Sequence, residues 1–95
     1  MKYFSCNNEK NERLKQERGV SFEEVVFHIT RGDLLDVLGH PNRERYPDHR
    51  IFVVNIDDYS YLVPLVEGEG EVFLKTIIPS RKATNMYLRR RRKDG

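Results

Sequence analysis

The chain has no tryptophan, one cysteine, and no apolar run approaching the ~20 residues that cross a bilayer. Each shortage excludes something. A lone Cys6 cannot form an internal disulfide, and it fits a reducing compartment. Three histidines, His28, His40 and His49, show neither HxxxH nor HxH spacing and have no cysteine partner, so no metal site is expected. GxGxxG, a Walker lysine pattern and GxSxG are all missing, and the one glycine-rich stretch, EGEG, is flanked by acids that repel phosphate. No cofactor is therefore expected. The N-terminus, MKYFSCNNEK, turns polar after Cys6 and lacks the apolar region of a signal peptide. Cytoplasmic localisation without membrane association is the expectation. Cys6 itself reads as part of a frayed segment beside no fixed base.

What remains is 95 residues, 38% hydrophobic and 34% charged, which is one domain over 1–95 with a modest core. The net charge of +2 hides an asymmetry. Residues 79–95 hold seven basic groups and one acid, net +6, whereas the rest holds ten basic and fourteen acidic, net −4. A basic tail at about 89–95, RRRRKDG, closes the chain. Such a tail either meets an anionic partner or only solubilises the domain.

Local signals give the order of elements. Asn7 or Asn8 caps a polar helix that Gly19 stops, with Leu14 its only strong hydrophobe. Ser21 and Glu24 form a capping box for a second helix, in which Phe22, Val25, Val26 and Ile29 make an apolar stripe before Gly32. The stretch 33–40, DLLDVLGH, suits either a buried strand or another helical turn. A polar loop follows, bounded by Pro41 and Pro47. Three strand signals come next: 50–56, 59–67 and 71–78, with turns at Asp57-Asp58 and at 68–70. Pro64 cannot donate to a ladder and predicts a bulge or an unpaired edge. Ser80 caps a last basic helix running into the early 90s. The expected fold is α+β: two N-terminal helices, a three- to four-stranded mostly antiparallel sheet, and a C-terminal basic helix. The helices cover one sheet face and leave the other open.

Paired carboxylates, Glu23-Glu24 and Asp57-Asp58, have structural explanations as helix start and turn. Basic and aromatic residues are more informative. Period-2 alternation places Phe73, Lys75 and Ile77 on one face of the last strand, and Val72, Leu74, Thr76 and Ile78 on the core face. Lys75 then rises from the open face with Tyr59 and Tyr61 nearby, His49 and Arg50 open the first strand of the meander, and the Pro-Ser turn delivers Arg81 to the sheet edge. Cations that hold phosphates and aromatics that stack unpaired bases suit single-stranded RNA. RNA also supplies its own nucleophile, the 2′-hydroxyl, so cleavage needs only a proton acceptor, a cation and a proton donor. The alternative is that Lys75 and Tyr61 are solvated strand residues and Arg81 bonds nearby carbonyls.

Three segments together resemble the BrnT toxins, within the RelE-like ribonuclease group: EKNERLKQERGVSFEEV (9–25), DHRIFVVNIDDYSYLVPLVE (48–67) and IIPSRKATNMYL (77–88). The likeness runs in order over about residues 7–90. Departures are Glu17-Arg18-Gly19 where members commonly have Lys-His-Gly, a proline before Ser80, and residues 33–47, which match only in length. The resemblance implies a compact α+β toxin of a type II toxin–antitoxin system that cleaves RNA. It also implies a cognate antitoxin that wraps the toxin and carries a DNA-binding domain, through which the pair reaches operator DNA. The polar positions matching the family are Lys10, Asn11, Arg50, Arg81 and Lys82; Lys75, His49 and Tyr61 come from the face analysis. Arg81, Lys75, Arg50, His49 and Tyr61 are thus the candidate catalytic set, and Lys82, Lys10, Asn11, Arg89 and Arg90 the candidate RNA-binding set. Non-catalytic binding of nucleic acid or antitoxin is the alternative function.

If the arginine run is an electrostatic handle, alanine at Arg89 to Lys93 should weaken single-stranded RNA binding and flatten its salt dependence. Each lost phosphate contact should remove about 0.7 from the log–log slope, read by filter binding at several salt concentrations.

Overall fold

In the computed structural model, which describes residues 3–89, both N-terminal helices start on side-chain caps. The Asn7 side chain accepts from the Lys10 amide at 2.9 Å and opens α1 (Asn8–Arg18). Gly19, at φ 67, ends it in a conformation that glycine adopts without penalty. The Ser21 hydroxyl accepts from the Glu24 amide at 3.1 Å and opens α2 (Phe22–Thr30), as the capping-box spacing predicts.

α1 has almost no apolar face, and only Leu14 and Asn11 on it are buried. Asn11 supplies what hydrophobes do not. Its Oδ1 accepts from the Phe22 amide at 2.8 Å and its Nδ2 donates to Glu23 Oε1 at 2.8 Å. One side chain thereby satisfies an otherwise orphaned amide at the α2 start and locks the two helices into a hairpin.

Six strands form one mixed sheet: β1 (Tyr3–Cys6), β2 (Leu34–Gly39), β3 (His49–Ile56), β4 (Tyr59–Gly68), β5 (Glu71–Leu74) and β6 (Ile78–Pro79). The order is β1-β5-β4-β3-β2, with β6 also on β4. Only β1 and β5 run parallel. The strand reading of 33–40 is the one that forms. The Asp57-Asp58 turn joins β3 to β4 with both residues at positive φ (54° and 66°), the conformation a tight two-residue hairpin requires and aspartate tolerates. The sheet has six strands rather than the expected three to four, and two further expectations are corrected. The N-terminal segment read as frayed is β1, held by registered pairing from Tyr3↔Glu71 to Cys6↔Leu74. The last strand does not run unbroken from 71 to 78 but stops at Leu74 and resumes at Ile78.

The cause of that break is Pro64. The Lys75 amide donates to the Pro64 carbonyl at 2.8 Å, so residue 64 turns its polar edge toward this neighbour and has no N–H to offer in return. The chain leaves the ladder over 75–77. Arg18 reaches from the end of α1 to the carbonyl of Ile77, which is itself fully buried. The detour shifts the alternation by one, a further correction: Ile77 lies in the core (0% exposed) whereas Ile78 faces out (41%).

The face under α1 and α2 carries the core: Leu14, Val20, Phe22, Val25, Val54, Ile56, Val63, Leu65, Val72, Leu74 and Ile77. The opposite face is not left bare. Ser80 caps α3 (Arg81–Thr84) by accepting from the Ala83 amide at 3.0 Å, and a wider turn follows over Asn85–Arg89. The Ser80 amide donates to the Ser60 carbonyl at 3.0 Å, and the Ser60 amide donates to Thr84 Oγ1 at 2.9 Å. Further along, the Tyr87 hydroxyl donates to Asp36 Oδ2 at 2.7 Å, and that bond is the main cause of a phenol pKa raised above its ordinary value. This segment therefore straps the second face from β4 to β2. The expected continuation of the helix into the early 90s, with Arg90, lies outside the described residues.

Asn11→Ala should leave the buried Phe22 amide without an acceptor and cost about 1–3 kcal/mol of stability, measured by urea denaturation.

Candidate functional site

Register fixes which side chains can meet. In β3, Phe52, Val54 and Ile56 belong to the helix-covered side, so His49, Ile51 and Val53 face the other way. Opposite them in β4 stand Val66, Pro64 and Leu62. At the end of this second face, where β5 stops and the loop after β2 folds back, a cleft of about 340 Å³ opens. It is lined by His40, Tyr46, His49, Arg50, Ile51, Pro64, Leu65 and Lys75.

The loop between β2 and β3 is organised by Asn42. The Asn42 amide donates to His40 Nδ1 at 2.9 Å, its carbonyl accepts from the Tyr46 amide at 3.0 Å, and its side chain accepts from the Arg45 amide at 3.3 Å. Gly39 leaves room for the Arg43 guanidinium, since a Cβ there would stand 2.8 Å from Arg43 Nε. The His40 amide donates to the His49 carbonyl at 3.3 Å and closes the loop base. Three rings are brought together as a result. The centroid separations are 4.5 Å for His40–Tyr46, 5.0 Å for Tyr46–His49 and 5.7 Å for His40–His49, with the Arg45 guanidinium 5.7 Å from the Tyr46 centroid.

The sequence-predicted residues separate into groups. His49 and Lys75 share the cleft, as the face analysis expects. Arg50 also lines it, but its Nε pairs with Glu67 Oε1 at 3.0 Å and its Nη1 donates to the Pro47 carbonyl at 3.0 Å, so its charge is already committed. Arg81 does not line the cleft. The Ser80 amide is fixed at Ser60 and the Lys75 amide at Pro64, four residues along β4, which places these two backbone anchor points roughly 13 Å apart at strand rise. Arg81 and Lys82 are exposed at the start of α3, and Arg89 is exposed at the end of the turn that follows.

Tyr61 is on the other side of the sheet. It pairs with Val54 and packs against the core, and burial followed by the charges of Asp57, Tyr59 and Glu24 raises its pKa still further from neutrality. Its expected place on the open face is thus corrected, for Tyr61 and Val63 both sit under the helices. Asn11 is 4% exposed with its amide spent on α2, so it is a structural residue. Lys10 lies on α1, across the sheet from the cleft.

Sequence reasoning missed His40, Tyr46 and Arg45. The available signal was two histidines flanking a loop bounded by prolines, which a β2–β3 hairpin necessarily brings side by side. Among the described residues no three of histidine, cysteine, aspartate or glutamate converge, and no carboxylate lines the cleft. Aspartate and glutamate stand just outside it, Asp48 and Glu67 lining a separate hollow with Arg50. An anion entering the cleft therefore meets imidazole, phenol and ammonium groups. No helix among the described residues is long and apolar enough to cross a membrane. No family model, curated protein or solved structure matches this chain.

Because Tyr61 lies on the covered face, Tyr61→Phe should leave RNA affinity and any cleavage rate within about twofold of wild type, as for other changes that remove no ligand contact. A gel-based cleavage assay paired with filter binding checks this.

Proposed function

We propose that this protein is a metal-independent endoribonuclease toxin of a bacterial type II toxin–antitoxin pair, acting in the cytoplasm on RNA and neutralised by a cognate antitoxin. The observation that carries the proposal is the convergence of His49, His40, Tyr46 and Lys75 in one cleft without a lining carboxylate. The likeness to BrnT toxins over 9–25, 48–67 and 77–88 supplies the substrate class and the partner.

The chemistry needs little. His49 takes the proton from a 2′-hydroxyl. The O2′–P bond forms as the P–O5′ bond breaks, and charge builds on the non-bridging oxygens, where Lys75 stabilises it. The departing O5′ takes a proton from water, and the hydroxide left behind is neutralised by the His49 imidazolium. The products are a 2′,3′-cyclic phosphate and a 5′-hydroxyl. Arg81 and Lys82, away from the cleft along β4, hold further phosphates of the same strand. Tyr46 and the Arg45 guanidinium above it offer a stacking surface for a base. The antitoxin carries a DNA-binding domain and brings the pair to operator DNA.

The alternative is a module that binds RNA or antitoxin without cleaving, favoured by the exposure of Arg81 and Lys82 on α3. One experiment separates the two. Purified chain is incubated with a long RNA in the presence of chelator. Cleavage is expected, lowered about 10²–10⁴-fold by His49→Ala, while Arg81→Ala raises KM with kcat nearly unchanged. Intact RNA with salt-sensitive binding would favour the module, and a requirement for divalent metal would refute the mechanism.

A further inference from the structure

The two histidines of the cleft are not equivalent. A backbone N–H can only donate, and the Asn42 amide is aimed at His40 Nδ1 at 2.9 Å. That nitrogen is therefore the acceptor of the ring, which puts the proton of the neutral imidazole on Nε2. His40 lines the cleft and Asn42 does not, so the partner of Nδ1 lies outside the cleft's lining. Nε2 has no hydrogen-bond partner among the described residues and is the ring nitrogen left for a ligand. Tyr46 packs on the ring at 4.5 Å and His49 meets it edge-on at 5.7 Å, which holds this orientation. No side-chain hydrogen bond fixes His49 among the described residues; its ring meets those of Tyr46 and His40.

We propose that His40 is a fixed Nε2–H donor to a phosphate oxygen and takes no part in proton transfer, which leaves His49 as the only imidazole that moves a proton. The role rests on the ribonuclease reading for its substrate but on the loop geometry for its chemistry. A neutral imidazole with Nδ1 occupied has no free lone pair to accept the 2′-hydroxyl proton. Donating Nε2–H outright would leave an imidazolate, a far poorer outcome than returning a proton from an imidazolium. Hydrogen bonding is what such a ring can do. Its Nε2–H and Lys75 Nζ, both from residues lining the cleft, can together donate to charge developing on a phosphate. The other charged or titratable groups around the cleft are Arg50, already bound to Glu67, Tyr46, Arg45 above Tyr46, and Asp48 outside the lining. None competes for His40 Nδ1.

The test has one arm without catalysis and one with it. Long-range proton–nitrogen correlation spectra of the ¹⁵N-labelled wild-type chain, recorded at about pH 8 where imidazole is neutral, are expected to show His40 protonated at Nε2. Adding single-stranded DNA, which cannot be cleaved because it lacks the 2′-hydroxyl, should shift that Nε2–H resonance. In cleavage assays His40→Ala should lower kcat about 10²-fold, the scale of losing one donor to developing charge. His40→Gln, which keeps an N–H donor but cannot move a proton, should restore most of that loss. His49→Gln should restore nothing relative to His49→Ala. Thermal melts establish that each variant is folded, and the wild-type spectra do not depend on them.

A proton on Nδ1, an Nε2–H resonance indifferent to DNA, or His40→Gln as inactive as His40→Ala would overturn the donor role even if RNA is cleaved. An Nε2–H that shifts with DNA in a protein that leaves RNA intact would support the donor role and overturn the ribonuclease instead.

Discussion

A central strand that cannot complete its ladder shapes most of this molecule. Pro64 lies in the middle of β4, paired with Ile51 on one side, and on the other offers a carbonyl but no N–H. The facing strand has nothing to accept from at that point, so it gives up regular pairing after one bond from the Lys75 amide. Two consequences follow. Lys75 leaves the sheet at the mouth of the cleft and lines it, and residues 75–77 need other partners, one of which is Arg18. Pairing then resumes at β6 one residue out of phase. Ser80 is thereby set beside Ser60, and α3 is committed to the face that the first two helices leave uncovered.

The two faces consequently do different work. Under α1 and α2 the side chains are apolar or, like Asn11, fully used in holding helices together. The second face is part strap and part cleft. Ser60 and Thr84 fix the strap by replacing a missing strand partner with a side-chain hydroxyl. At the other end the loop after β2 supplies rings rather than carboxylates. Of the acidic groups nearby, Glu67 is held by Arg50, and no carboxylate lines the cleft although the body of the chain is acidic overall.

Elements whose signals are local could be read from the residues alone. Asn7, Ser21 and Ser80 cap the helices they precede, Gly19 stops the first, and Asp57-Asp58 makes the hairpin. What escaped depends on contacts distant in sequence. β1 is four residues long and exists because β5 offers it an edge. The phase of residues 75–78 is set by a proline more than ten positions away, and strict alternation therefore assigned Ile77 and Ile78 to the wrong faces. Tyr61 was misplaced for a related reason: its strand is apolar on both sides, and alternation does not say which side the helices will take. His49 and Lys75 were found by strand position. Their neighbours His40 and Tyr46 were not, because a hairpin closure rather than a short motif brings those rings together.

The outermost strands bear on how other chains can approach. β1 is only four residues long, and β2 carries an irregularity between Leu34 and Asp36 that puts its backbone groups out of step. An extended peptide laid along either margin would find few donors and acceptors in phase. This architecture discourages lengthening of the sheet by a second molecule. A chain that docks here without extending the sheet would do so through side chains and grooves, with selectivity written in charge and shape rather than in shared backbone ladders.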